Sequence, residues 1–188
     1  MAVSSTMMPL GTPAPAFALP DPAGRVHSLD DVADAPGVLV MFICNHCPYV
    51  QHVGVALAER TREWQDRGLA VFGVQSNDWS TYPDDAPARM AEVADRLGYS
   101  FPYLVDETQE VARAYGAACT PDFFLFDGER RLVYRGRFDR SRPSSDVPVT
   151  GDELGAAVDA VLAGEPAPQE QLPSIGCSIK WRPGNEPE

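Results

Sequence analysis

The chain has 188 residues, a formal net charge of −12, 44% hydrophobic residues and four cysteines. That length suits one domain with a core of its own, and the negative charge argues against nucleic acid and anionic membrane as partners. No apolar run approaches the ~20 residues that cross a bilayer, and Met1 to Gly11 carries no basic residue, so no secretory signal is expected. The expectation is a cytoplasmic protein, in which cysteines serve catalysis or metal binding rather than structural disulfides.

Residues 1–9 read as a flexible leader, and Pro9 to Pro22 is dense in proline and alanine. Asp21-Pro22-Ala23-Gly24 is a turn leading into a short strand over 26–29, so a hairpin is expected there. Residues 38–43 are an unbroken apolar run rich in branched side chains, the pattern of a strand buried on both faces. Cys44 and Cys47 follow at a Cys-x-x-Cys spacing where that strand ends. Val50, Val53, Leu57 and Trp64 then trace the apolar stripe of a helix, closed by Gly68. Pro48 is compatible with the helix start, where a missing N–H costs nothing.

A second buried strand over 69–75 completes a right-handed βαβ unit. Residues 77–86 form a polar loop at the same sheet edge as the cysteines. A helix over about 86–97 has Asp84 or Asp85 as its cap, Pro87 in its first turn and Gly98 beyond its end. A short strand covers 103–105, and Asp106 with Gln109 makes a capping pair for a small helix ending at Tyr115-Gly116. Strands over 123–126 and 132–137 meet at the Asp127-Gly128 hairpin signal. After a polar loop over 139–150, Thr150 and Glu153 have capping-box spacing for a last helix carrying Leu154, Ala157, Val158, Val161 and Leu162, ended by Gly164. Residues 164–188 are a proline-rich tail whose patch from Ile175 to Trp181 is apolar enough to dock on the domain.

This order of elements resembles the thioredoxin-like superfamily. The stretches that carry the resemblance are Ala14-Pro15-Ala16-Phe17-Ala18-Leu19-Pro20-Asp21, Cys44-Asn45-His46-Cys47 and Thr120-Pro121-Asp122-Phe123-Phe124. The branch is the peroxiredoxin-like one, related to alkyl hydroperoxide reductase and thiol-specific antioxidant proteins, and the likeness covers residues 10–163. It implies an α/β thioredoxin fold with a central mixed sheet, helices on both faces, an N-terminal hairpin and a docked tail. It also implies a cis Thr120–Pro121 bond lying against the Cys-x-x-Cys motif, at the one residue type before which a cis bond costs little.

The spacing supports thiol–disulfide exchange. Cys44 is the expected attacking thiolate and Cys47 the thiol that resolves the mixed disulfide, leaving Cys44–Cys47 oxidised. Asn45, His46, Pro48, Thr120 and Pro121 are the supporting residues. His46 lowers the thiol pKa by its charge, or it simply faces solvent in the first turn. No cofactor beyond the Cys44–Cys47 disulfide is expected, and the partners are protein or small-molecule thiols and disulfides, with peroxides a further substrate class.

Peroxidase chemistry with Cys47 as the peroxide-reactive thiol is the alternative. The peroxiredoxin pattern Pro-x-x-x-Thr-x-x-Cys is broken, because Val40 stands where the proline belongs and Cys44 where the threonine belongs. Arg137 is then a candidate for the missing positive charge. Cys119 and Cys177 are candidate additional thiols, or packed residues of a kind often found buried. Asp78 and Asp122 are candidate proton acceptors, or solvated carboxylates. A third class is soft-metal binding or delivery. Cys44, Cys47, His46, His52 and Cys119 suit Cu(I) or Zn(II), with Cys119 or Cys177 standing in for the later histidine that the chain lacks.

Overall fold

The computed structural model describes residues 2–187. Its strands are β1 (Ala2–Ser4), β2 (Ala18–Pro20), β3 (Val26–Ser28), β4 (Gly37–Phe42), β5 (Ala70–Gln75), β6 (Tyr103–Val105), β7 (Cys119–Thr120), β8 (Asp122–Asp127), β9 (Leu132–Tyr134) and β10 (Ile175–Ser178). The helices are α1 (Pro48–Asp66), α2 (Pro87–Leu97), α3 (Glu110–Ala114) and α4 (Asp152–Ala163), with short 3-10 turns at Asp30–Val32 and Pro83–Asp85.

β4 is the axis of the molecule. It pairs in parallel with β5 and antiparallel with β8, inside a mixed sheet of order β6-β5-β4-β8-β9. Every residue of β4 is buried. Because successive side chains of a strand point to opposite faces, Leu39 and Met41 pack with Val50, Val53, Leu57 and Trp64 of α1 and with Leu154 and Val158 of α4. Val38, Val40 and Phe42 enter a second cluster with Phe72, Leu104, Phe124 and, from the α3 side, Val111 and Tyr115. Burying each such side chain contributes about 1.5–3 kcal/mol, so the residues that follow β4 leave from a support anchored on both faces.

The helix after β4 starts at Pro48 with Cys47 as its N-cap, a position where proline loses no hydrogen bond. Gly68, at φ 98°, turns the chain after α1. The expected hairpin is present as β2 paired with β3. The Thr120–Pro121 bond is cis.

Several local expectations change. Neither Asp84 nor Asp85 caps α2; its N-cap is Ala86, with no side-chain bond, and Asp85 is turned inward and fully buried. The box between Thr150 and Glu153 is not made: Gly151 is the N-cap of α4, and Glu153 instead takes three hydrogen bonds of 2.7–3.1 Å from Arg137. Asp106 does hold the start of α3, accepting from Ala112 N at 2.9 Å. Gln109, however, turns to the tail, donating to Lys180 O at 2.9 Å and accepting from Arg182 N at 2.7 Å. The strand expected over 132–137 stops at Tyr134.

The largest change is at the ends. Within the leader expected to be flexible, residues 2–4 are a strand paired antiparallel with β10, with Val3 opposite Gly176. β10 pairs in turn with β7, so the tail lies between the first strand and the Thr120 segment. The tail is seated firmly, with Ile179 buried and Trp181 packed against the second cluster. No helix among the described residues is long and apolar enough to cross a membrane.

Asp122 opens β8 directly opposite Phe42 and is completely buried. Its Oδ2 accepts from Ala118 N at 3.3 Å, while Oδ1 has no partner among the described residues. Burial therefore raises its pKa from 3.8 to about 7. A raised carboxylate pKa means that folding takes up a proton in that interval, so this contribution to stability is complete below pH 3.8 and is lost as pH rises to about 7. Asp122→Asn should remove that slope: thermal melts should show the variant gaining about 1–3 kcal/mol over the parent above neutrality, with the gain shrinking in acid.

Candidate active site

Both sulfurs of the Cys-x-x-Cys motif meet one residue. Cys44 Sγ lies 3.3 Å from Thr120 Oγ1, and Cys47 Sγ lies 3.1 Å from Thr120 O. The end of β4 and the start of α1 supply the cysteines, and the segment just before the cis-Pro121 supplies the threonine. Cys44 and Cys47 are 2% and 0% exposed, so the pair sits beneath the surface rather than on it.

The two thiols are not equivalent. A hydrogen bond from Cys44 lowers the pKa of Cys47 against the opposing effect of burial, with Cys177, Thr120 and the Val50 N–H adding to it. The same pairing with Cys47, together with burial and the Asp85 carboxylate, raises Cys44. The surroundings of the pair therefore favour ionisation at Cys47 over Cys44. The sequence reading places the attacking thiolate on Cys44; Cys47, at the N-cap of α1, stands where unpaired helix N–H groups and the helix dipole favour an anion.

Asp85 holds the loop that carries the pair. Its Oδ1 accepts from Asn45 N at 2.8 Å and His46 N at 3.2 Å; its Oδ2 meets His46 Nδ1 at 2.6 Å and accepts from Asn77 Nδ2 at 2.8 Å. Burial opposes the charge on Asp85, but the His46, Asn77 and Asn45 hydrogen bonds together outweigh it and hold the carboxyl below its ordinary value. The Asp85 hydrogen bond in turn raises His46. His46 stacks on Tyr82 at 5.4 Å between ring centroids. Asn45 completes the net: its Nδ2 donates to Asp84 O at 2.9 Å and its Oδ1 accepts from Tyr103 OH at 3.0 Å.

The remaining sequence candidates divide. Cys177 is half-buried beside the pair, directly across β7 from Thr120. Cys119 points the other way: its Sγ donates to Pro121 O at 3.6 Å, and burial pushes its pKa far up, which makes it a packed thiol. His52 is hydrogen-bonded to Ser141 at 3.0 Å. Asp78 binds Ser80 and Thr81. Arg137 is held by Glu153. The donor atoms of Cys44, His46 and Asp85 lie within 4.8 Å of one another, so the cluster differs from the sulfur-rich set expected for a soft metal. Asp85, already accepting from three residues, is the centre of the site that the sequence reading missed. It was read as a helix cap, and the only local hint of another role is its place in the polar loop at the cysteine edge.

Two measurements test these assignments. Cys44→Ala should raise the Cys47 pKa more than Cys44→Ser, since a serine hydroxyl still donates; ultraviolet thiolate absorbance against pH reads this. A raised His46 contributes stability below 6.5 that is lost as pH rises through its folded value, and a lowered Asp85 contributes stability above 3.8 that is lost as pH falls through its own. Asp85→Asn should thus return the His46 titration, followed by NMR, toward 6.5, and cost about 1–3 kcal/mol between those limits.

Comparison with known proteins agrees with this geometry. A crystal structure of an uncharacterized conserved protein from Geobacillus kaustophilus superposes with a TM-score of 0.95 and 52% identity, covering 98% of both chains. The thioredoxin domain of a thiol-disulfide oxidoreductase from Bacteroides vulgatus superposes with a TM-score of 0.57 and 21% identity over 68% of this chain and 88% of that one, which identifies the fold. Thiol-disulfide oxidoreductase ResA of Geobacillus thermodenitrificans is 28% identical over 122 residues, covering 65% of this chain and 66% of that protein. Residues 10–135 match the AhpC/TSA family, and the chain belongs to that family, built on a thioredoxin fold.

Proposed function

We propose that the protein is a thiol–disulfide oxidoreductase whose redox centre is the Cys44/Cys47 pair. The observation that carries this reading is the convergence of both thiols on the residue before the cis Thr120–Pro121 bond: Cys44 Sγ lies 3.3 Å from the Thr120 hydroxyl and Cys47 Sγ donates to the Thr120 carbonyl at 3.1 Å, in surroundings that favour ionisation at Cys47 over Cys44. The Cys47 thiolate attacks one sulfur of a substrate disulfide; that S–S bond breaks, and the leaving thiolate takes up a proton. Cys44, giving up its own proton, then attacks Cys47 Sγ, forming Cys44–Cys47 and releasing the second substrate thiol. The substrate gains two electrons and the protein loses them; the reverse sequence oxidises a dithiol. The name of the ResA relative supports the same chemistry. Protein or small-molecule disulfides are the substrate class, and a cytoplasmic setting would keep the resting pair reduced.

Peroxide reduction is a second reading, supported by surroundings that favour ionisation of Cys47, the cysteine that aligns with the peroxide-reactive position of the family. Cys47 would be oxidised to a sulfenic acid with loss of water or alcohol, and Cys44 would condense with it, releasing water. That would make the protein an antioxidant. Against it, the threonine of the family pattern is replaced by Cys44, and Arg137 is already bound bidentately by Glu153.

Stopped-flow mixing of the reduced protein with a disulfide and with hydrogen peroxide separates the two. Exchange faster with the disulfide, abolished by Cys47→Ser and reduced by Cys44→Ser, is the expected result. Fast peroxide consumption surviving Cys44→Ser, with slow disulfide exchange, would replace the first reading with the second.

A further inference from the structure

The edge of the Thr120 segment, where an extended peptide would pair beside the redox pair, is already taken by the chain's own tail. β10 lies antiparallel to β7, with Cys177 opposite Thr120 and Ser178 opposite Cys119. Directly opposed residues of an antiparallel pair project from the same face. Cys177 therefore shares its face with the Thr120 side chain, whose hydroxyl meets Cys44 Sγ at 3.3 Å, while the Thr120 backbone carbonyl accepts from Cys47 Sγ at 3.1 Å. Cys177 packs against the cluster that contains both Cys44 and Cys47. Of the four cysteines it alone is not fully buried.

The approach of β10 is set by Gly176. A Cβ at that position would lie 1.9 Å from Thr120 O and 2.6 Å from Thr120 C, with no flexible side chain to yield. Only glycine permits the strand to lie this close to the segment before Pro121, and that closeness brings Cys177 against the cluster that holds Cys44 and Cys47. The tail thus occupies the position of a substrate strand and carries a thiol there.

We propose that Cys177 is a third redox thiol, the port through which the buried pair exchanges electrons with an external dithiol. This rests on the thiol–disulfide reading above and adds a route to it. Starting from Cys44–Cys47, Cys177 loses its proton to solvent and attacks Cys47 Sγ; the Cys44–Cys47 bond breaks, Cys47–Cys177 forms, and Cys44 leaves as a thiolate that takes up a proton. In the disulfide, Cys47 no longer carries the charge that opposes ionisation of Cys177, while Lys180 still favours it. The external dithiol then attacks the half-buried Cys177, freeing Cys47 as a thiolate. Its second sulfur attacks its first, releasing Cys177 and leaving the external molecule as a disulfide. Two electrons have entered, and the protein is again fully reduced.

The test uses the full chain and a limiting amount of the aromatic disulfide dithiobisnitrobenzoate, whose released thiolate is coloured. Wild type should yield peptides linked Cys44–Cys47 by mass spectrometry; failure of that control would sink the underlying reading rather than this one. In Cys44→Ser, the relay should release about two coloured thiolates per reagent molecule and give peptides linked Cys47–Cys177. Adding Gly176→Val, which displaces the strand and leaves both thiols in place, should cut the release to about one and leave a mixed disulfide. Circular dichroism establishes that each variant is folded. Reduction of oxidised wild type by dithiothreitol should slow about tenfold in Cys177→Ser, in keeping with loss of the accessible sulfur. A stable mixed disulfide in Cys44→Ser with Gly176 intact, or an unchanged reduction rate in Cys177→Ser, would overturn the proposal.

Discussion

The contact between the Cys-x-x-Cys sulfurs and Thr120 is the point on which the rest of the structure converges. It joins three segments: the end of β4 and the start of α1, neighbours in the chain, and the distant segment before the cis-Pro121. Each arrives there for a separate reason. β4 is fixed because its alternating side chains enter two clusters at once. α1 is fixed because its apolar stripe packs on one of them. The Thr120 segment is held by β8 on one side, through the pairing of Asp122 with Phe42, and by β10 on the other. The sulfurs occupy a small space where none of the three can move independently.

Charge is organised around the same point. Cys47 sits at the N-cap of α1, and the buried Asp85 lies on the other side of the Cys-x-x-Cys loop. A buried carboxylate near a thiolate would repel it. His46 lies against Asp85 and draws on its charge at 2.6 Å. Asp85 and His46 thus each favour the charged form of the other, and Cys47 raises His46 as well. Asp85 also raises Cys44, which favours keeping the shared proton on the cysteine outside the helix.

The sequence was informative where structure is local. The buried strand before Cys44, the stripe of α1, the Asp127-Gly128 hairpin and the Thr-Pro dipeptide all follow from nearest-neighbour pattern and from resemblance, and all are present. What could not be read depended on partners far along the chain. Nothing in Ala2-Val3-Ser4 says strand; only β10, at the opposite end, makes it one. Asp85 looked like a helix cap because that is what an aspartate before Pro87 does when no distant group competes for it. Here Asn45 and His46 compete and win. Glu153 was diverted from its capping box by Arg137 in the same way.

The pairing of β1 with β10 brings the two ends of the chain together on the edge of the redox site. Local segments of a folded domain open at free energies below that of global unfolding, and short strands at a sheet edge are among them. In this molecule fraying is not peripheral to function. Opening of β10 would uncover Thr120, so exposure of the sulfurs depends on the local stability of the β1-β10-β7 sheet as well as on that of the core. A substitution that strengthens β1, or a fusion that weighs on either end, would retune the reactivity of a site whose own residues were never touched.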